Sequence, residues 1–551
     1  MKKLVSLLLA LLMVFSLFGC SAGQGETKDP VSEKPSQGEE SATPAEPEDE
    51  FGVSTTAELN FEGGKRAVVL EDGVEYKKDI VLAFAQKHGT LDPQAAGSGI
   101  QYMMEMLSHN RLVHRNTVTN EFEPELATEW SVSEDGLTYT FKLRDDVKFH
   151  NGEAFTADDV LFTYERAVES GVATLPLTSL VSSVEVISDY EVAYHLINPN
   201  NDFVFFVAGD YSVVLNREAF DADPDTGWKI GTGGFVLDDF VPSESAHYTR
   251  FDESWIWADG LTPTETITFK IMTEDAARMM ALESGEVDYA HQFPLDMIAE
   301  YSAKDGLDGN VMASESLDFL ALSQDNELLK NDENLRKAIM YAFNPQDIMD
   351  VCDNSYGTII HTMWGPNQYG FDESINEPIH YDLAKAQEYL KASNYNGEEL
   401  RITTISSYQP RAEVLQANLL ALGLNVKVDI NEMAAIDQRA KEKDLDIFYF
   451  NMGLQPYGDY MRRIITPGGN ANRGRYSNDE VTALLDKALT ESDDATRKGY
   501  YKEVQQIVND DAFLMPAFCI CLAQAYNENI SGIDFRADAL HEFTYVVCAE
   551  K

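Results

Sequence analysis

Cysteine is scarce in this chain, five in 551 residues, and basic residues are outnumbered. Cys352, Cys519, Cys521 and Cys548 fall at spacings that match no zinc pattern. Against 93 Asp and Glu stand 42 Lys and Arg, a formal net charge of -51. Phosphate contacts need a basic surface, so this balance argues against nucleic acid as a partner. It also makes an anionic membrane surface repulsive, and solubility is the plain reading of so large a net charge. There is no Gly-rich loop followed by Lys-Ser/Thr, no Gly-x-Ser-x-Gly elbow, and no His-Glu-x-x-His among the ten histidines. Gly231-Thr-Gly-Gly-Phe-Val begins like a dinucleotide loop but has Val236 at its sixth position. Asp221-Ala-Asp223-Pro-Asp225-Thr-Gly227 begins like a calcium loop, yet Thr226 and Thr232 occupy the places of its Gly and its bidentate acid. A solvated acidic turn is expected there. With so many acids, close carboxylate pairs arise by chance and carry no signal for glycoside hydrolysis. No metal or cofactor is expected.

The beginning of the chain is distinctive. Met1-Lys2-Lys3 precedes an apolar run from Leu4 to Phe18, too short to cross a bilayer as a helix but of the length of a signal peptide's apolar region. Leu17-Phe18-Gly19-Cys20 resembles the lipobox of bacterial lipoproteins, which implies residues 1–20 as a cleaved signal and acylation of Cys20. Residues 21–56 are rich in Pro, Ser, Gly and Glu and read as a disordered acidic tether. Residues 57–78 are ambiguous, with Val68, Val69 and Leu70 as a candidate ordered edge.

The remaining 470 or so residues exceed one hydrophobic core, so at least two lobes are expected. Apolar residues alternate at Tyr139/Phe141/Leu143, Val192/Tyr194/Leu196, Ile267/Phe269/Ile271 and Val426/Val428/Ile430, which predicts half-buried strands. Helical stripes lie at Val160/Tyr164/Val168, Leu335/Ala338/Ile339/Ala342, Leu415/Leu419/Leu422 and Val481/Leu484/Leu485/Ala488. Ser477 with Glu480 reads as a capping box for the last, and Thr156 with Asp159 begins the first. Cys519 and Cys521 sit two apart in an apolar run and read as core, with a disulfide involving Cys548 left open. The mixture predicts an α/β architecture without repeats.

One long stretch is far more specific. Pro124-Glu125-Leu126-Ala127-Thr-Glu-Trp130, Asp135-Gly136-Leu137-Thr138-Tyr139-Thr140-Phe141-Lys142-Leu143-Arg144 and Val147-Lys-Phe149-His150-Asn151-Gly152-Glu-Ala-Phe155-Thr156-Ala157-Asp158-Asp159-Val160 are similar to the signature region of the oligopeptide/dipeptide/nickel-type solute-binding proteins of ABC importers. Thr90-Leu91-Asp92-Pro93, Gly231 to Phe235, Ala281 to Asp288, Leu335 to Ile339, Tyr381 to Ala386 and the stretch Arg497 to Ile507 match further elements in the family's order. The resemblance implies a two-lobed periplasmic-binding-protein-like (class II) fold with a hinge and an interlobe cleft, the larger lobe built from both ends of the mature chain. Its expected parts are 57–270 and 515–551 for the first lobe and 271–514 for the second.

The implied function is capture of a peptide or peptide-like solute by lobe closure and delivery to a membrane permease, by a monomer outside the cytoplasm, with no chemistry on the solute. A non-peptide solute (oligosaccharide, nickel or haem chelate) is the alternative; a surface-anchored hydrolase is a third, from a different class. In peptide-binding members an Asp in a Gly-Trp-x-x-Asp context pairs with the ligand's amino terminus. Here Gln455 falls at that place, and Asp459, four residues on, either substitutes or is a solvated loop acid. Ser407-Tyr408-Gln409-Pro410-Arg411 resembles a cleft-lining stretch, with Tyr408 as a contact and Arg411 as a carboxylate partner or a helix-start residue. Arg473 is a further candidate, and Trp364 either stacks on ligand or packs in the core.

Overall fold

The computed structural model describes residues 60–62, 65–67, 70–95, 98–116, 119, 121–170, 177–258, 260–536 and 538–550. The expected signal, Cys20, the tether, Val68 and Val69 lie outside these residues. Among the described residues no helix is long and apolar enough to cross a membrane.

The alternating segments form strands where expected: Thr138–Leu143, Glu191–Leu196, Thr266–Ile271 and Asn425–Ile430. The first two are central to a four-stranded antiparallel sheet, flanked by Ala127–Val132 and Val181–Ser188. The stripes form the helices Ala157–Ser170, Glu333–Ala342, Gln409–Leu422 and Asp479–Thr490. At the last, the cap is Asn478 rather than Ser477: its side-chain oxygen accepts from the N–H groups of Glu480 and Val481. Asn satisfies those orphan donors as well as Ser does.

An eleven-stranded mixed sheet runs through the molecule. Its order is Phe235–Val241, Ser245–Arg250, Thr266–Ile271, Asp79–Phe84, Tyr289–Phe293, Leu514–Asn527, Leu307–Leu322, Ile447–Gly453, Glu399–Thr404 and Asn425–Ile430, with Gly357–Ile359 added beside Leu514–Asn527. The two longest strands pair antiparallel from Leu307↔Asn527 to Ala321↔Leu514. They join two lobes. One core gathers Ile80, Phe84, Phe141, Phe149, Tyr248 and Phe269 with Phe543 and Val546 from the far end of the chain. The other gathers Leu317 to Leu322, Ile339, Ile402, Leu419, Tyr449, Leu485 and Phe518. A small cluster of Ala83, Ala281, Leu282, Val287, Ala290, Ala523 and Ala525 packs beside the first.

Gly231-Thr-Gly-Gly is a packing device. A Cβ on Gly231 would sit 1.9 Å from the Ser108 carbonyl oxygen, and one on Gly233 2.5 Å from that of Leu107. Only glycine lets this loop lie against the end of the helix Gly99–Ser108. Asp223 accepts from Asp225 N at 3.1 Å and Thr226 Oγ1 at 2.6 Å, so the acidic stretch is a self-bonded exposed turn. Among the described residues Cys352, Cys519, Cys521 and Cys548 are free thiols; burial pushes Cys519 up to about 12 and Cys548 up to about 11, which keeps both protonated and inert.

Candidate functional site between the lobes

Where the lobes meet lies a cavity of ≈ 530 Å³ of empty space, partly open to solvent. The first lobe contributes Tyr102, Arg115, Phe205, Asp210, Tyr211, Arg536, Asp538 and Leu540; the second contributes Gln455, Pro456 and Tyr457. Each arrives by a different route. Tyr102 stands on Gly99–Ser108, Arg115 ends the short strand Val113–Arg115, and Phe205 lies in the helix Phe203–Val207. Gln455 follows the strand Ile447–Gly453.

A buried charge network forms one wall. Arg536 reaches Asp210 at 3.1 Å, Asp538 at 2.5 Å and Glu542 at 2.8 Å. Arg111 pairs with the same Asp210, with Glu542 at 3.3 Å and with Glu125 at 3.2 Å. Arg115 reaches Asp538 at 3.2 Å and stands 3.7 Å from Glu315. Burial alone would depress both arginines, Arg111 and Arg536, yet the surrounding carboxylates outweigh it and hold them above the ordinary guanidinium range. Burial pushes Asp538 up, and Arg536 and Arg115 outweigh it and hold its carboxyl below the usual range. Glu315 goes the other way: burial carries it up to about 7, Asp538 adds to the rise, and Arg115, Arg536 and Asn367 oppose it.

The lobes are clasped beside the cavity. Asp202, fully buried ahead of Phe203–Val207, takes a hydrogen bond from Arg497 on the second-lobe helix Asp494–Asp511. Asp459 N donates to Asp202 Oδ2 at 3.3 Å, and Asn201 N donates to the Leu489 carbonyl at 3.1 Å. The Phe206 and Tyr457 rings meet at 4.8 Å.

The residues singled out from sequence are scattered around this site. Gln455 lines the cavity, and its backbone carbonyl accepts from Gln368 Nε2 at 2.8 Å. Asp459 belongs to the clasp: Arg462 Nε reaches its two oxygens at 2.9 and 3.1 Å. Burial pushes Asp459 up to about 7, with Asp202 and Asp486 adding and Arg462 opposing. Arg411 is committed elsewhere, to Asp318 at 2.9 Å and to Asp353 at 2.7 and 2.5 Å. Asp318 itself is fully buried and also accepts from Tyr449 and Asn451. Two carboxylates already match the guanidinium, so Arg411 serves the second lobe's interior. Arg473 pairs with Asp437 at 2.7 Å and lies 5.9 Å over the Phe450 ring, against which Tyr408 packs at 5.2 Å. Trp364 is fully buried and packs on Tyr501 at 6.2 Å, so it presents no face to the cavity. Sequence reasoning missed Arg115, Asp210, Glu315, Arg536 and Asp538, which carry no local pattern.

His114, Asp534 and Glu542 bring donor atoms within 4.8 Å of one another. Arg111 Nη2 stands 3.1 Å from His114 Nδ1 and 3.3 Å from Glu542 Oε1, so a guanidinium already supplies the positive charge there. This donor set does not suit a metal ion.

The family model for bacterial extracellular solute-binding proteins, family 5 Middle, matches residues 121–474. The chain is 26% identical over 450 residues to Heme-binding protein A of Haemophilus influenzae, covering 74% of this chain and 81% of that one. It is 26% identical over 503 residues to Glutathione-binding protein GsiB of Pectobacterium atrosepticum, covering 87% and 96%. The structure of HbpA2 from Haemophilus parasuis superposes with a TM-score of 0.77 at 24% identity, covering 85% of this chain and 99% of that one. The two-lobed fold, the cavity between the lobes and this matched span agree: the chain belongs to the bacterial extracellular solute-binding proteins of family 5.

Proposed function

We propose that this protein captures peptides or peptide-like solutes between its lobes and hands them, chemically unchanged, to the membrane subunits of an ABC importer. Family membership and the charged interlobe cavity carry the reading. Glutathione, the solute named for one relative, is itself a tripeptide. Ligand bridging both walls favours the closed arrangement by its differential affinity for it. Tyr102, Tyr457 and Gln455 offer aromatic surface and a neutral amide, the mixture usual in solute pockets. Membership of a family of solute-binding proteins supports the role of a receptor that does no chemistry on the solute. It works as a monomer outside the cytoplasm, held to the membrane through lipid on Cys20.

We place the two chain crossings within Leu307–Leu322 and Leu514–Asn527 rather than near 270 and 515. What supports this is the packing of Leu282, Val287 and Tyr301 with Ala83 of the first lobe, which assigns residues 271–306 to that lobe. Native mass spectrometry of gently purified protein, followed by titration with short-peptide pools, tests the function. Bound peptide and a thermal shift with peptides are expected; neither appearing would overturn the peptide assignment. The relative named for haem favours a second reading, a chelate ligand, which the same spectra would reveal as a bound chromophore.

A further inference from the structure

We propose that the lobes close by taking up a proton on the Asp459 carboxylate, so that this receptor grips in acid surroundings and loosens as pH rises. The proposal rests on capture by closure, whatever the solute, and concerns the seam beside the cavity, not the cavity itself.

The charges across the seam lead to it. On the second lobe, Arg462 serves two carboxylates: Nε reaches both oxygens of Asp459 at 2.9 and 3.1 Å, and Nη1 reaches Asp486 on the helix Asp479–Thr490 at 2.9 Å. Arg497 turns to the first lobe, where it donates to Asp202. Closure therefore adds a first-lobe acid to the second-lobe set, three carboxylates against two guanidiniums. The backbone N–H of Asp459 donates to Asp202 Oδ2 at 3.3 Å, which sets the two aspartates side by side. Asp202 is the better served as an anion, with a guanidinium on Oδ1 and an N–H on Oδ2. Asp459 has one Nε–H forked over both oxygens, so it is the member of the pair that takes the proton. The other titratable groups that feel its charge are phenols, Tyr457 beside it in the chain and Tyr501 on the helix Asp494–Asp511, and neither brings positive charge. The Asp459 side chain is 19% exposed, so water can deliver the proton.

The direction of the effect follows. With the lobes together, burial first, then Asp202 and Asp486, hold the Asp459 carboxyl up at about 7 against the pull of Arg462. With the lobes apart, Asp459 loses the Asp202 charge and part of its cover, and it returns toward the ordinary 3.8. Below 3.8 both arrangements carry the proton, and above 7 neither does. Between these values only the closed arrangement carries it, so closure strengthens as pH falls through that window. For one proton the closed-to-open ratio changes by at most about tenfold per pH unit.

The test reads energy transfer between dyes on the two lobes of unliganded processed protein, from about pH 8 down to about pH 5, a range that spans the upper part of the window. Wild type should close progressively as pH falls. Asp459→Asn carries the neutral form permanently and should stay closed without a pH response. Asp486→Asn, at an exposed position, removes a neighbouring charge and frees Arg462 for Asp459, so its midpoint should move to lower pH. That variant keeps the test open should Asp459→Asn fail to fold. A wild-type seam that ignores pH or opens in acid overturns the proposal. So does a wild-type response retained in a folded Asp459→Asn protein, or an unmoved midpoint in Asp486→Asn. The peptide reading stands or falls separately, by capture from a pool of short peptides at one fixed pH.

Discussion

Replacing Asp202 with Asn should loosen the clasp between the lobes and weaken solute binding while leaving each lobe folded. Asp202 is fully buried and receives Arg497, whose Nε also donates to the Ala488 carbonyl at 3.0 Å. Breaking one side of a buried ion pair costs about 3–5 kcal/mol when the remaining charge stays buried. Arg497 keeps part of its stabilisation, because its guanidinium carbon lies 4.4 Å over the Tyr369 ring, an arrangement worth about 0.5–2 kcal/mol. About 2 kcal/mol therefore falls on the closed arrangement, since opening lets water reach Arg497. Apparent affinity drops in proportion to the lost closed population, roughly 30-fold. Calorimetric titration gives the affinity, and energy transfer between dyes on the two lobes gives the closed fraction. An unchanged affinity with an unchanged dye separation in Asp202→Asn would refute this reasoning.

Stability should depend on pH through Glu315. Its carboxyl sits at about 7 when folded against 4.5 ordinarily, chiefly through burial. Below 4.5 both states hold the proton; between 4.5 and 7 only the folded state does, so wild-type stability falls as pH rises through that window and levels above it. Glu315→Gln escapes this loss, so its advantage in urea melts should grow to on the order of 3 kcal/mol from pH 4.5 to 8, and a less stable variant at pH 8 contradicts the cause. Arg411→Ala should cost about 3–5 kcal/mol by leaving Asp318 and Asp353 unpaired, seen as a lowered denaturation midpoint; a normal midpoint with lost binding would return Arg411 to the ligand site. Gly231→Ala should abolish soluble expression, because its Cβ would meet the Ser108 carbonyl at 1.9 Å; a normally folded variant would show that this loop can yield.

The elements were legible because their signals are local. The alternation at Tyr139, Phe141 and Leu143 needs only a pleat with one wet face, and the stripe at Val481, Leu484, Leu485 and Ala488 only a helix with one buried side. The long similarity around residues 124–160 supplied the fold that these signals alone leave open. The site was illegible for the converse reason. Arg115, Asp210, Arg536 and Asp538 meet only through the topology, and each is one charge among many, whereas Gln455 was marked by its place in a family motif and does line the cavity. The irregular pairing at Ser314 to Ser316 breaks a strand period instead of making one. Arg411 stood out in its motif, but the two aspartates that claim it lie 93 and 58 residues away. Trp364 stood out as an aromatic between a Met and a Gly; only the packing of Tyr501 decides that it faces inward.

The most direct measurement follows one labelled peptide through a full cycle with the processed protein. Small-angle scattering should report a more compact particle once the peptide is added, and the peptide released by acid should return with its original mass. A particle of unchanged dimensions that binds the peptide, or a peptide recovered in pieces, would contradict capture by closure.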